Sequence, residues 1–174
     1  AAMHQFEYDA LDRVTRQEFA DGNVSIFTYT LSGLVESVTD ARGVTAHTYD
    51  DLDRLVNVAN PDGTQVSYTY DAANNVLTTT TDFGTTSYTY DALNRIETVT
   101  AADAGVSLYT YDAVGNRSTR TLANGAVTSY AYDLRNRVTG ILHETSTGSV
   151  IEGFVYTRDD AGRAGEVEHV EPAR

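Results

Sequence analysis

The chain has no cysteine, no lysine and only two prolines, and it contains no long apolar run. Without cysteine there is neither a disulfide nor a thiolate metal site, although this leaves the redox compartment open. A membrane helix needs roughly 20 consecutive apolar residues, and no stretch approaches that, so no membrane span is expected. The opening AAMHQFEYDA lacks a charged segment followed by an apolar one, so no secretory leader is legible. The pattern described below begins almost at once, and the expectation is that the natural start lies upstream. Basic charge is scarce: 12 arginines stand against 25 acidic residues, a net charge of −13. Nucleic acid is therefore not an expected partner, because phosphate binding needs a basic stripe and the net field repels polyanions. A 3.6-residue apolar period is also missing, and Thr, Gly and Asp are frequent, which argues against helix.

What the sequence does have is a repeat. Taking one tyrosine per repeat as position zero gives Tyr8, Tyr29, Tyr49, Tyr70, Tyr90, Tyr111 and Tyr132, with Arg158 as a degenerate eighth. The spacings are 21, 20, 21, 20, 21, 21 and 26. Two residues earlier stand Phe6, Phe27, His47, Tyr68, Tyr88, Tyr109, Tyr130 and Tyr156, and all 12 tyrosines fall in these two columns. Position plus one is Asp9, Thr30, Asp50, Asp71, Asp91, Asp112, Asp133 and Asp159. Position plus four holds only Gly, Asn or Asp, the residues that tolerate φ > 0, which predicts a turn with a left-handed residue. Position plus five is arginine in Arg13, Arg54, Arg95, Arg137 and Arg163. Position plus six is mostly aliphatic, with Arg117 and Ala164 as exceptions.

Positions zero and minus two share one face of a strand, and the Thr and Ser between and before them line the other. Tyr and Thr both favour strands. A second strand follows the turn, as in RLVNVAN (54–60) and RIETVT (95–100). There the apolar residues fall at plus six and plus nine, for example Ile96 and Val99. That spacing breaks strict alternation, and a bulge or a late strand start explains it equally well. Asp-Gly and Asn-Gly steps then close each repeat. The predicted fold is all-β: one repeat array over residues 1–174, made of tandem β-hairpins of about 20 residues in a curled or spiralling antiparallel sheet. The 41% hydrophobic content is adequate for a core. Equivalent aspartates lie two strands apart, roughly 9–10 Å, where solvent screens their repulsion. Neither end carries a recognisable cap, so the expectation is a segment of a longer array, or open strands that pair with another chain.

The phrases YDALDR (8–13), YDDLDR (49–54), YDALNR (90–95), YDAVGNR (111–117) and DDAGR (159–163) resemble the YD repeat, also called the RHS repeat. The resemblance covers almost the whole chain. The signature residues are Tyr8, Asp9, Arg13, Tyr49, Asp50, Arg54, Tyr70, Asp71, Tyr90, Asp91, Arg95, Tyr111, Asp112, Tyr132, Asp133, Arg137, Asp159 and Arg163. An aromatic ladder accompanies them: Phe6, Phe27, Tyr68, Tyr88, Tyr109, Tyr130 and Tyr156. The resemblance implies sheets that spiral into hollow shells around a C-terminal polypeptide, often a toxin, or shells of animal cell-adhesion receptors. The family's self-cleaving DPxGL-like motif is absent, since the only prolines are Pro61 and Pro172.

Catalytic readings carry less weight. Asp50–Asp51, Asp159–Asp160 and Asp9 with Asp12 recur with the turn, which points to Asx-turn hydrogen bonding rather than acid–base chemistry. No calcium loop, Gly-x-Ser-x-Gly elbow or phosphate loop occurs, and His4, His47, His143 and His169 sit at unrelated positions. Asn23 and Asn116 head glycosylation-like triplets. The expectation is a non-catalytic, cofactor-free wall segment, extracellular or at the cell surface, whose partners are neighbouring repeats and polypeptide cargo. Two alternatives are a self-assembling filament built through open sheet edges and a glycan- or receptor-binding surface on the tyrosine columns. The Asp–Arg pairs are expected to meet across the turn and to hold strand register.

Overall fold

The computed structural model describes residues 4–159 and 162–172. Asp160, one of the paired carboxylates considered above, lies outside the described residues. The described residues are antiparallel strands joined by turns, with no helix among them. Contacts divide the chain into two compact units, residues 1–85 and 86–174.

The first unit holds β1 (Gln5–Tyr8), β2 (Val14–Glu18), β3 (Val24–Tyr29), β4 (Val35–Asp40), β5 (Gly43–Tyr49), β6 (Leu55–Ala59), β7 (Gln65–Tyr70) and β8 (Val76–Thr81). Each pairs antiparallel with the next in chain order. The second unit holds β9 (Gly84–Tyr90, which starts at the boundary), β10 (Ile96–Ala101), β11 (Gly105–Tyr111), β12 (Arg117–Thr121), β13 (Val127–Tyr132), β14 (Val138–Glu144), β15 (Val150–Arg158) and β16 (Ala164–Val170). These also pair antiparallel in chain order.

The plus-six and plus-nine spacing comes from a β-bulge. In β9–β10, Tyr90 pairs with Ile96, but Thr89 pairs with Thr98 and Tyr88 with Val99. Glu97 is therefore the extra residue, and the register shifts there. The same shift recurs between Thr28 and Tyr29, Thr48 and Tyr49, Thr69 and Tyr70, Thr110 and Tyr111, and Ala131 and Tyr132. The consequence is positional. Because plus six pairs with zero and plus nine with minus two, all four side chains stand on one face. The opposite face pairs hydroxyls: Thr28 with Ser37 at 2.7 Å, Thr69 with Thr78 at 2.7 Å, Thr89 with Thr98 at 2.8 Å and Thr110 with Thr119 at 2.7 Å.

The sequence's apolar content does not make a closed core. Among the described residues no large side chain is buried, and most of the ring-bearing face is half-buried. The reason is geometric. A sheet buries a face only against a second layer, and neither unit supplies one.

Candidate functional site

Each repeat builds the same constellation from its turn outward. Asp9 donates its N–H to the Arg13 carbonyl at 2.9 Å, and its own carbonyl accepts from the Asp12 N–H at 3.1 Å. That closes a three-residue loop whose last residue is left-handed, with Asp12 at φ 57°. Asp53, Asn74, Asn94, Asn136, Gly33, Gly115 and Gly162 take the same conformation in their repeats. The Gly of the second turns does likewise. Gly22, Gly63 and Gly125 donate to the carbonyls of Phe19, Asn60 and Leu122, so these Asp-Gly and Asn-Gly steps end three-residue loops rather than form two-residue ones.

The aspartate carboxylate organises the loop. Asp91 Oδ1 accepts from the N–H of Leu93 at 2.9 Å and of Arg95 at 3.0 Å, and Oδ2 accepts from Arg95 Nε at 2.7 Å. Asp9–Arg13, Asp50–Arg54 and Asp133–Arg137 repeat this geometry, and Asp159 binds Arg163 the same way. Where arginine is missing, Asn75 and Asn116 donate their Nδ2 to Asp71 and Asp112. Thr30 replaces aspartate in the second repeat, and its hydroxyl accepts from the Leu34 N–H at 3.1 Å. These donors hold the carboxylates of Asp9, Asp50, Asp71, Asp91, Asp112 and Asp133 below their ordinary range. The Arg95 guanidinium is the largest influence on Asp91, followed by the Arg95 N–H. For Asp133 the Arg137 N–H leads, and the carboxyl falls to about 2.

The arginine has a second contact, across to the following repeat. Arg13 lies 4.4 Å from the ring centroid of Tyr29, Arg54 4.7 Å from Tyr70, and Arg95 4.3 Å from Tyr111. The hydroxyl of the position-zero tyrosine reaches back to the carbonyl at plus six of the preceding repeat, whether or not an arginine precedes that residue. Tyr29 donates to Val14 at 2.7 Å, Tyr49 to Val35 at 2.8 Å, and Tyr70 to Leu55 at 2.6 Å. In the second unit Tyr111 donates to Ile96 at 2.8 Å and Tyr132 to Arg117 at 3.0 Å. In the last repeat Arg158 stands where tyrosine should be. Its Nη2 donates to Val138 at 3.1 Å, which is the equivalent carbonyl. Ring and carbonyl thus form a latch between successive hairpins within each unit, backed by arginine at Arg13, Arg54 and Arg95.

Ring pairs among the described residues include His4–Phe19, Phe6–Tyr8 and Phe154–His169. Phe6 pairs with Gln17, Phe27 with Val38, Tyr68 with Thr79, Tyr88 with Val99, Tyr109 with Arg120, Tyr130 with Ile141 and Tyr156 with Val167. The latch escaped sequence reasoning, although its signal was present. Position zero is tyrosine or a hydrogen-bonding arginine, whereas minus two accepts phenylalanine and histidine. Only the first column needs a donor. Among the described residues no cluster of His, Asp and Glu could hold a metal ion, and no helix is long and apolar enough to cross a membrane. Asn23 and Asn116 donate their side-chain amides to Asp21 and Asp112.

Comparison with known proteins gives one family and one fold. A family model described as RHS Repeat matches residues 8–45, 49–86 and 111–149. No curated protein matches. Among solved structures, TcdB2-TccC3-TEV is similar over 97% of this chain with a TM-score of 0.68 and 16% identity. TcdB2-TccC3-Cdc42 is similar over 98% with a TM-score of 0.64 and 16% identity. The Photorhabdus luminescens Tc holotoxin pore carrying a TccC3 mutation is similar over 98% with a TM-score of 0.55 and 15% identity. The chain spans only 11% to 12% of the length of those chains.

Proposed function

The chain belongs to the RHS repeat family, and on that premise we propose that it is a non-catalytic wall segment of a larger shell enclosing a polypeptide, such as a toxin domain. One observation carries the reading. The described residues form single-layer sheet with a half-buried ring-bearing face and no buried core. A wall is that kind of object: one layer whose inner face is covered by what it holds and by further wall. Similarity to the TcdB2-TccC3-TEV and TcdB2-TccC3-Cdc42 structures supports a polypeptide cargo. The same similarity supports a secreted or surface location. In this reading the nearest partners are neighbouring repeats of the same longer chain, joined by the latch.

The glycan-binding alternative is weaker, because arginine covers one side of the Tyr29, Tyr70 and Tyr111 rings that a sugar would stack on. The filament alternative is a matter of oligomeric state and is read by light scattering.

The wall reading is tested on the natural full-length polypeptide by limited proteolysis with and without denaturant. The expected result is a non-repeat segment that resists protease until the repeats unfold. Equal digestion of that segment in native and denatured protein contradicts the reading.

A further inference from the structure

The sixth repeat breaks the pattern of the ring-bearing face. Elsewhere plus six and plus nine are pairs such as Ile96 with Val99 or Val138 with Ile141; here they are Arg117 and Arg120. Through the bulge, Arg117 pairs with Tyr111 and Arg120 with Tyr109, so both guanidinium stems rise from the face that carries the rings. Seven other arginines are ion-paired: Arg13, Arg16, Arg42, Arg54, Arg95, Arg137 and Arg163. Among the described residues Arg117 and Arg120 have no carboxylate partner. Arg117 lies 4.6 Å from the Tyr130 ring centroid. Arg120 Nε is buried and has no hydrogen-bond partner. The neighbour of Arg120 on β13 is Thr128, whose hydroxyl is engaged with His143 Nδ1 at 2.9 Å. A buried guanidinium N–H without an acceptor is costly, and arginine's forked donors match a carboxylate.

We propose that Arg117 and Arg120 form a docking site for an acidic, extended polypeptide segment lying on the ring-bearing face of β12. Three arguments select this occupant. The chain carries a net charge of −13, so its field disfavours a polyanion or a doubly charged phosphate, and this local positive pair suits isolated carboxylates. Plus six and plus nine lie about 7 Å apart, the separation of residues i and i+2 on an extended strand. The surrounding Tyr109, Tyr111, Tyr130 and Tyr132 offer apolar surface to the side chains between and beside those carboxylates. This deepens the wall reading, on which it rests for the natural occupant: the enclosed chain presents alternating acidic residues here.

The test measures binding of a labelled peptide with Glu at alternate positions, separated by Leu and Gly, against its Gln counterpart at low ionic strength. The full chain is expected to prefer the Glu peptide by about tenfold. The double variant Arg117→Val/Arg120→Ile restores the residue types of the other repeats. It is expected to keep or raise the melting temperature and to lose the preference. Equal binding of the two peptides, or a preference that survives in the folded double variant, overturns the proposal. Displacement by inorganic phosphate at concentrations equal to the peptide's also overturns it, because it marks a plain anion site. Because this assay uses the chain by itself, its failure leaves the wall reading standing. Digestion of the cargo in the full-length protein likewise leaves the peptide result standing.

Discussion

At the scale of single residues, the tyrosine hydroxyl and the aspartate carboxylate do different work. Tyr111→Phe keeps the ring under Arg95 and removes only the bond to the Ile96 carbonyl. Denaturant titration should show a loss of about 0.5–1.5 kcal/mol. Tyr111→Leu also loses the arginine contact, and its loss should be larger by about 0.5–1 kcal/mol. Equal stability of Tyr111→Phe and the parent would remove the latch. The carboxylates predict the acid limit. Asp133 titrates at about 2 when folded, against an ordinary 3.8, so its stabilisation is full above the ordinary value. It is lost as pH falls toward 2, and Asp91 is shifted in the same direction. Denaturation midpoints should therefore fall between those two pH values, and a flat profile there would contradict the carboxylate's role. The Asp–Arg pairing was legible because both residues recur at fixed offsets. The latch was not, because a hydroxyl reaching a backbone carbonyl in another repeat leaves no second side-chain column to read.

At the scale of the hairpin, the bulge decides which residues share a face. The sequence exposed the anomaly, plus six and plus nine both apolar, but a three-residue step is equally consistent with a late strand start. The register supplies the answer: Glu97 is extra, and the alternation resumes behind it. Deleting Glu97 should leave Ile96, Thr98 and Val99 opposite Tyr90, Thr89 and Tyr88 in regular alternation and remove only the local bend and twist of the bulge, destabilising the chain more than Glu97→Gln does. Comparable stability of the deletion and the substitution would show that the bulge is dispensable. The left-handed loop residue is the other local constraint, and its Gly/Asn/Asp column made it legible. Gly115 sits at φ 96°, so Gly115→Ala should cost about 1–2 kcal/mol by thermal or chemical denaturation.

At the scale of the whole molecule, a hydrophobic content of 41% yields no buried core among the described residues. Composition reports how much apolar surface exists, not whether a second layer arrives to cover it. Strand content and repeat spacing were legible for the same reason that the core was not: the first are local, and the second depends on what packs against the sheet. The chain by itself should bind a hydrophobic reporter dye in its native state and release it on unfolding, and absence of native-state binding would contradict an open ring-bearing face. The central claim is that one bulge per hairpin brings zero, minus two, plus six and plus nine onto a common face, in repeat after repeat. Nuclear Overhauser contacts between aromatic protons and methyl groups test it most directly. The expected contacts are Tyr90 with Ile96 together with Tyr88 with Val99, whereas contact of Tyr88 with the Thr98 methyl in place of Val99 would contradict the shared face.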